Sequence, residues 1–361
     1  MLYYLYELRE VFSGFNIFRY ITFRAGMAAV TTFLLCVIFG PLVIKKLREL
    51  KIREIAKRDD CPDLDKFQHA KEGTPTMGGI FIIGSILASV FLWADLANKY
   101  ILLTMSVCFG LAILGFIDDY RKLTHKGKRG LSKRVKLFWQ VIISCLVGIF
   151  IFLHPDSSTI LYVPFLKYAV INLGIFYILF AAVIIVATSN AVNLTDGLDG
   201  LAIGCVLIVS MTLAVLSYTT GNVKFSEYLL MPYVPAAGEL TVFCAAIMGA
   251  CLGFLWFNCH PATIFMGDVG SLALGGTLGV ISVLIKKELL LVLLGGVFVL
   301  EAFSVIIQVW SFKTSGKRIF KMAPFHHHLQ LLGWDESKII IRFWIIAIIL
   351  ALLTLTSLKI R

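Results

Sequence analysis

Three short segments of this chain place aspartates where the surroundings are too apolar to hold them without a reason. Gly115-Phe116-Ile117-Asp118-Asp119-Tyr120-Arg121-Lys122 closes an apolar run with two adjacent carboxylates. Ser189-Asn190-Ala191-Val192-Asn193-Leu194-Thr195-Asp196-Gly197-Leu198-Asp199-Gly200 carries two more, together with two asparagines. Asn258-Cys259-His260-Pro261-Ala262-Thr263-Ile264-Phe265-Met266-Gly267-Asp268-Val269-Gly270 carries Asp268. Carboxylate oxygens suit hard cations, and Mg²⁺ commonly takes one or two carboxylates together with phosphate oxygens and water. Clustered carboxylates repel one another unless a cation lies among them. Lys71, Arg121, Lys122 and Lys126 supply positive charge for phosphate oxygens, and the glycines permit tight turns close to a ligand. Asp and Asn also cap helices at a membrane edge. That reading can cover any one of these residues but not all three segments. Asp118 and Asp119 end a helical run, where the macrodipole disfavours anions.

Two further features stand out. In Met322-Ala323-Pro324-Phe325-His326-His327-His328 the adjacent histidines cannot all face one way on a helix. The segment therefore reads as a loop or a helix start. A transition-metal site would lack a nearby Cys partner, and hydrogen bonding of the imidazoles to phosphate is the better functional reading, against a merely solvated cluster. Glu301 sits inside an apolar run. An unpaired carboxylate there costs about 2.5–3.5 kcal/mol on insertion scales, so an inward-facing partner is expected.

The elements that must position these groups are membrane spans. The chain has 361 residues, of which 59% are hydrophobic and only 15% charged, and its mean hydropathy is +0.88. So few charges could not coat a water-facing surface of that size, and disorder needs the opposite balance. A bilayer core of about 30 Å takes about 20 apolar residues as helix. Ten runs qualify: 25–44, 77–97, 100–117, 137–154, 171–188, 199–219, 239–257, 271–285, 289–310 and 339–359. The run 271–285 is the weakest. Continuous rather than alternating apolarity excludes a β-barrel reading of these runs. The fold class is thus an all-α polytopic membrane bundle, one domain over 1–361. The aromatic-rich first 24 residues read as an interfacial helix rather than a signal peptide.

Ten spans place both termini on one side. The connections 45–76, 118–136, 189–198, 258–270 and 311–338 then share the other side and hold 22 of the 33 Lys and Arg residues. By the positive-inside rule that side is cytoplasmic and both termini are outside. A net charge of +11 in a soluble chain would suggest nucleic acid. In this one its location points to lipid headgroups and phosphates, with no nucleic-acid partner. Two of the five cytoplasmic connections, 189–198 and 258–270, contain no Lys or Arg and are the ones rich in Asp and Asn. The eight cysteines are scattered without a CxxC pair, which argues against disulfides or structural zinc.

The combination of Asp118-Asp119-x-x-Lys122, Asn190-x-x-Asn193-x-x-Asp196-Gly197-x-Asp199-Gly200, Phe265-Met266-Gly267-Asp268 and Pro324-x-His326-His327-His328 resembles the polyprenyl-phosphate N-acetylhexosamine-1-phosphate transferases. The resemblance spans essentially the whole chain. Within that family, Met322 to His328 is similar to the branch that carries phospho-MurNAc-pentapeptide. The resemblance implies transfer of that group from UDP-MurNAc-pentapeptide to undecaprenyl phosphate, with Mg²⁺ required and UMP and lipid I as products. It also implies a bacterial cytoplasmic (inner) membrane location among membrane lipids, a cytoplasmic active-site cleft and a homodimer. Span nine is expected to bend, with Gly295-Gly296 as the place, and the lipid acceptor to enter beside it.

By position the resemblance makes Asp268 and Asp118 the metal ligands, and Asp119 the residue that positions or deprotonates the acceptor phosphate. Lys71, Asn193, Asp196, Asn258 and Phe265 would form the nucleoside side, with Phe265 stacking on uracil. Lys122, Lys136, His326 and His327 would contact phosphates or sugar. Asn190, Asp199, Gly267 and His328 fall in the same constellation. Lys136 also fits a lysine snorkelling at a membrane edge, and Phe265 ordinary interfacial burial. Direct attack by the acceptor phosphate is favoured over a phospho-enzyme, because phosphoryl transfer needs chiefly positioning and charge stabilisation. The nearest alternative is the sister transferase that takes UDP-GlcNAc. A different class is a transporter, against which the acidic residues lie at one membrane face rather than at the midplane.

Overall fold

In a computed structural model of the protein the described residues are 1–50, 52, 73–124, 130–154, 158–164 and 170–359. Lys71 lies outside them.

The apolar runs form helices. In chain order they are α1 (Ile21–Glu49), α2 (Gly79–Trp93), α3 (Lys99–Thr124) and α4 (Lys133–Leu153), then α5 (Phe176–Thr195), α6 (Leu201–Thr220), the short α7 (Val223–Tyr228) and α8 (Leu240–Asn258). After them come α9 (Gly267–Leu284), α10 (Glu288–Leu294), α11 (Gly296–Ser315), α12 (Phe325–Leu331) and α13 (Glu336–Ser357). The described residues contain nine helices long and apolar enough to cross a membrane, one fewer than expected. The difference is α2. Its 15 residues rise only about 22 Å, yet it still runs from Gly78 and Gly79, bonded to Phe265 and Met266 at the carboxylate end, to Trp93 beside Arg24 at the other end, so the alternation of connections is kept.

The expected interfacial helix at the N-terminus is two 3₁₀ segments, Leu2–Glu10 and Ser13–Arg19. The start of the run 171–188 belongs to a two-stranded hairpin instead, β1 (Ile160–Tyr162) and β2 (Val170–Asn172), antiparallel with Ile160 opposite Asn172. The run 289–310 is interrupted at Gly295, which separates α10 from α11 at the expected bend.

At the centre stands α9, packed against α3 on one side and α5 on another. Of its most apolar window 89% is buried, although its hydropathy is low for a span. The two facts have one cause. A helix enclosed by other helices needs no lipid-facing surface, and Gly, Ser and Thr let neighbouring backbones come close. The weakest run in the sequence is therefore the most interior helix. The pair α1 and α8 packs outside it, with α6 on α8 and α4 on α5. A buried Arg24 fixes that outer layer. It makes two bonds to Glu239, at 2.7 and 2.5 Å, and one to the Trp93 carbonyl.

Candidate active site

The C-terminal turns of α3 and α5 and the N-terminal turns of α4 and α9 meet at one end of the bundle. Asp118 and Asp119 do not end α3, which continues to Thr124. Both are buried. Asp119 Oδ2 accepts the Val269 N–H at 3.2 Å, so its charge faces the positive N-terminal end of α9. Gly267 makes that approach possible. Its φ is +73°, and a Cβ on it would stand 2.6 Å from Asp119 Oδ2. Asp118 Oδ1 accepts the Leu131 N–H at 2.6 Å, which ties α3 to the entry of α4. Asp268, in the first turn of α9, completes a group of three carboxylates whose ligand atoms lie within 4.8 Å of one another.

Two lysines face this group. Lys122 Nζ stands 2.7 Å from Asp118, 3.3 Å from Asp119 and 3.0 Å from Asp268. Lys136 Nζ stands 2.7 Å from Asp268 Oδ2 and 4.0 Å from Asp118. Lys136 is thus part of the centre, not only a residue at a membrane edge. Asn193 Nδ2 donates to Asp268 Oδ1 and to Ser271 Oγ, both at 2.8 Å. Three anions against two cations leave the centre one formal negative charge. With the hard oxygen donors of Asp118, Asp119 and Asp268, it fits Mg²⁺ or Mn²⁺.

The segment 189–198 is a loop only from Asp196 on. α5 runs through Asn190 and Asn193 to Thr195. Polar side chains there are satisfied within the helix: Asn190 Nδ2 donates to the Val186 carbonyl and Thr195 Oγ1 to the Ala191 carbonyl. Asn190 Nδ2 also donates to Gln140 Oε1 at 2.9 Å, so both of its amide protons are used inside the protein. Asp196 follows at the C-cap of α5.

Asp199 is brought to a second group rather than to the aspartate triad. Its Oδ2 accepts the Ala262 N–H at 3.1 Å and lies 3.0 Å from His260 Nδ1. Glu336, in the first turn of α13, accepts the Asp199 N–H at 2.9 Å. Asp199, His260 and Glu336 form the other metal-competent group among the described residues. The sequence reading passed over His260 and Glu336. The clue was His260 inside a loop already marked for Asp268.

Asn258 is buried and acts as a brace. It accepts the Gly200 N–H at 2.9 Å and donates to the Ile264 carbonyl at 2.8 Å. Phe265 is half-buried. Its main chain pairs with the stretch before α2, through Phe265 N to Pro75 O at 2.9 Å and Gly78 N to Phe265 O at 2.8 Å. That pairing seats residues 75–79 against the start of α9.

The three histidines open α12. His326 is buried and supplies the partner of Glu301. Glu301 accepts the His326 backbone N–H at 3.2 Å and faces ring Nδ1 at 3.0 Å. Ring Nε2 has no hydrogen-bond partner among the described residues and packs on Gly197, where a Cβ would stand 2.3 Å away. His327 Nδ1 lies 2.8 Å from Gln330 Oε1. His328 Nδ1 accepts the Lys321 N–H at 3.1 Å. The rings of His326 and His327 pack on each other, 4.2 Å between centroids, while His328 packs on Phe320 and Phe325.

Residues 100–286 match the glycosyl transferase family 4 model, which makes this bundle of apolar helices, with its carboxylate–lysine centre at one end, a membrane transferase of phosphorylated sugars. Residues 71–83, which include the stretch paired with Phe265, match a phospho-N-acetylmuramoyl-pentapeptide-transferase signature. Proteins of that name from Citrifermentans bemidjiense and Syntrophus aciditrophicus are 54% and 50% identical to the chain, over the full length of both. One from Thermodesulfovibrio yellowstonii is 52% identical over 99% of each chain. The chain belongs to the phospho-N-acetylmuramoyl-pentapeptide-transferase family.

Proposed function

We propose that the protein transfers phospho-MurNAc-pentapeptide from UDP-MurNAc-pentapeptide to undecaprenyl phosphate, releasing UMP and forming lipid I, the first membrane step of peptidoglycan synthesis. The observation that carries this reading is the meeting of Asp118, Asp119 and Asp268 with Lys122 and Lys136 at the end of the bundle. Two substrates that both carry phosphate must approach there despite like charge, and fixed cations offset that repulsion. The family membership and the Met322 to His328 stretch supply the choice of donor.

In this reading an oxygen of the lipid phosphate attacks the donor phosphorus that carries the sugar. The bond from that phosphorus to the bridging oxygen breaks, and UMP leaves with the electron pair. Asp268 and Asp118 would hold Mg²⁺, which neutralises charge on the diphosphate when bound. Lys136 and Lys122 steady the phosphate oxygens, and Asp119 orients the acceptor phosphate. Asn193, Asp196 and Phe265 would form the nucleoside side, with Asn258 bracing its wall; Lys71 is assigned to it by the family resemblance alone. His326 would brace the sugar side from beneath, through the turn at Gly197 on which its ring packs, and His327 and His328 are assigned to that side by the family resemblance. The positive-inside count supports a centre facing the cytoplasm of a bacterial inner membrane, where the nucleotide donor is found. Homodimerisation is proposed from the family resemblance.

The location of the centre favours this reading over transport, because it lies where helices begin and end rather than midway along them. The test is to offer UDP-MurNAc-pentapeptide and UDP-GlcNAc separately, with undecaprenyl phosphate and Mg²⁺, and to identify the lipid product by mass spectrometry. Lipid-linked phospho-MurNAc-pentapeptide is expected. A product from UDP-GlcNAc alone would overturn the donor assignment.

A further inference from the structure

One helical turn inside the carboxylate centre lies a second polar layer that touches neither metal-competent group. Gln140 stands one turn along α4 from Lys136, Ser189 and Asn190 one turn along α5 from Asn193, and Leu272 one turn along α9 from Asp268. The four are joined in a relay. Asn190 Nδ2 donates to Gln140 Oε1 at 2.9 Å, Gln140 Nε2 donates to Ser189 Oγ at 3.1 Å, and Ser189 Oγ donates to the Leu272 carbonyl at 2.9 Å. Gln140 is 1% exposed and Ser189 fully buried. An amide is costly in such surroundings unless it is bonded, and Gln140 is bonded through both its donor and its acceptor.

The relay matters because of how α4 is held. This helix packs chiefly on α5 and barely touches α9 along its length. Its outer face, including Val135, Leu137, Phe138 and Trp139, is exposed and apolar. Smooth apolar contact does little to fix the rotation of a helix about its own axis. With side-chain tips about 5–6 Å from the axis, a rotation of about 10° moves them by about 1 Å. A shift of that size would take Lys136 Nζ from 2.7 Å beyond hydrogen-bond reach of Asp268.

We infer that Gln140 is a positioning residue of the transferase: by locking α4 to α5, and through Ser189 to α9, it sets Lys136 on Asp268. This rests on the proposed role of the carboxylate–lysine centre and adds a residue that touches no substrate.

The test is a double-mutant cycle with Gln140→Met, which keeps volume and removes the bonds, and Lys136→Ala. Turnover, both KM values and thermal stability are measured in detergent-purified protein. Gln140→Met should lower kcat by about 10–100-fold, the scale of a misplacement of about 1 Å, with each KM within about 3-fold. Lys136→Ala should then cost much less in the Gln140→Met background than in the native one, because one group acts through the other. Equal losses in both backgrounds would overturn the inference. If Gln140→Met does not fold, Ser189→Ala breaks the same relay with one oxygen removed, and the same non-additivity is expected. Lys136→Ala turning over at the native rate would instead show that the reading of the centre is at fault.

Discussion

Replacing Asp268 with Asn removes the carboxylate on which the centre converges while keeping its shape. Asp268 Oδ2 receives Lys136 at 2.7 Å and Lys122 at 3.0 Å, and Oδ1 receives Asn193 at 2.8 Å. A hydrogen bond between charged groups contributes about 1.5–3 kcal/mol, and Lys136, which is largely buried, falls in that range. Lys122 is 45% exposed and is screened by solvent, so about 1 kcal/mol is the fair figure. Together these give about 2.5–4 kcal/mol that holds the two ammonium groups in place, and releasing them, a misplacement of about 1 Å or more, should cost about 10²-fold in turnover, before any loss of metal affinity. The fold should survive. Three carboxylates against two ammonium groups become two against two, so no buried charge is left uncompensated. The assay is UMP release at saturating donor and lipid acceptor, with thermal unfolding in parallel. Turnover within about 3-fold of the native rate, in a folded variant, would refute the argument.

Other outcomes follow from single contacts. Gly267→Ala forces a side chain into a left-handed conformation and toward Asp119. The strain of about 1–2 kcal/mol should appear chiefly as lost turnover, and a fully active Gly267→Ala would show that the approach of Asp119 to α9 is dispensable. Glu301→Ala strands the backbone N–H and ring of His326 in the interior, at about 1–3 kcal/mol for each unpaired group. Glu301→Gln keeps an acceptor. Thermal inactivation should therefore rank native above Gln above Ala, and equal stability of the two variants would count against the pairing.

The helical architecture was legible because runs of about 20 apolar residues have few other uses. What the runs did not reveal was which helix lies inside. α9 looked weakest because a helix surrounded by protein can be built from small residues, and hydropathy measures only fitness for lipid. α2 was overextended because Ala94 to Asn98, although partly apolar, turns to meet Glu239 and Ala236. The hairpin at 160–172 was too short to register as alternation. Of the centre, Asp118, Asp119 and Asp268 were legible as a set, since aspartates converging on one face of so apolar a chain need a common reason. Their lysine partner Lys136 was legible only through the family resemblance. The pairing of Glu301 with His326, and of Asp199 with His260 and Glu336, depends on which helix ends the fold brings together, and no spacing along the chain encodes that. Asn190 and Asn193 looked like loop residues because asparagine favours turns. On α5 they lie three apart and share the face turned to α4 and α9, and their place in the site was legible through the family resemblance alone.

The most direct test of the centre is to locate the cation by anomalous diffraction from crystals grown with donor and Mn²⁺. A single strong peak is expected within about 2–2.5 Å of oxygens of Asp268 and Asp118, touching the donor diphosphate and lost in Asp268→Asn. A peak at Asp199, His260 and Glu336 instead, with the donor diphosphate bound there, would contradict the assignment.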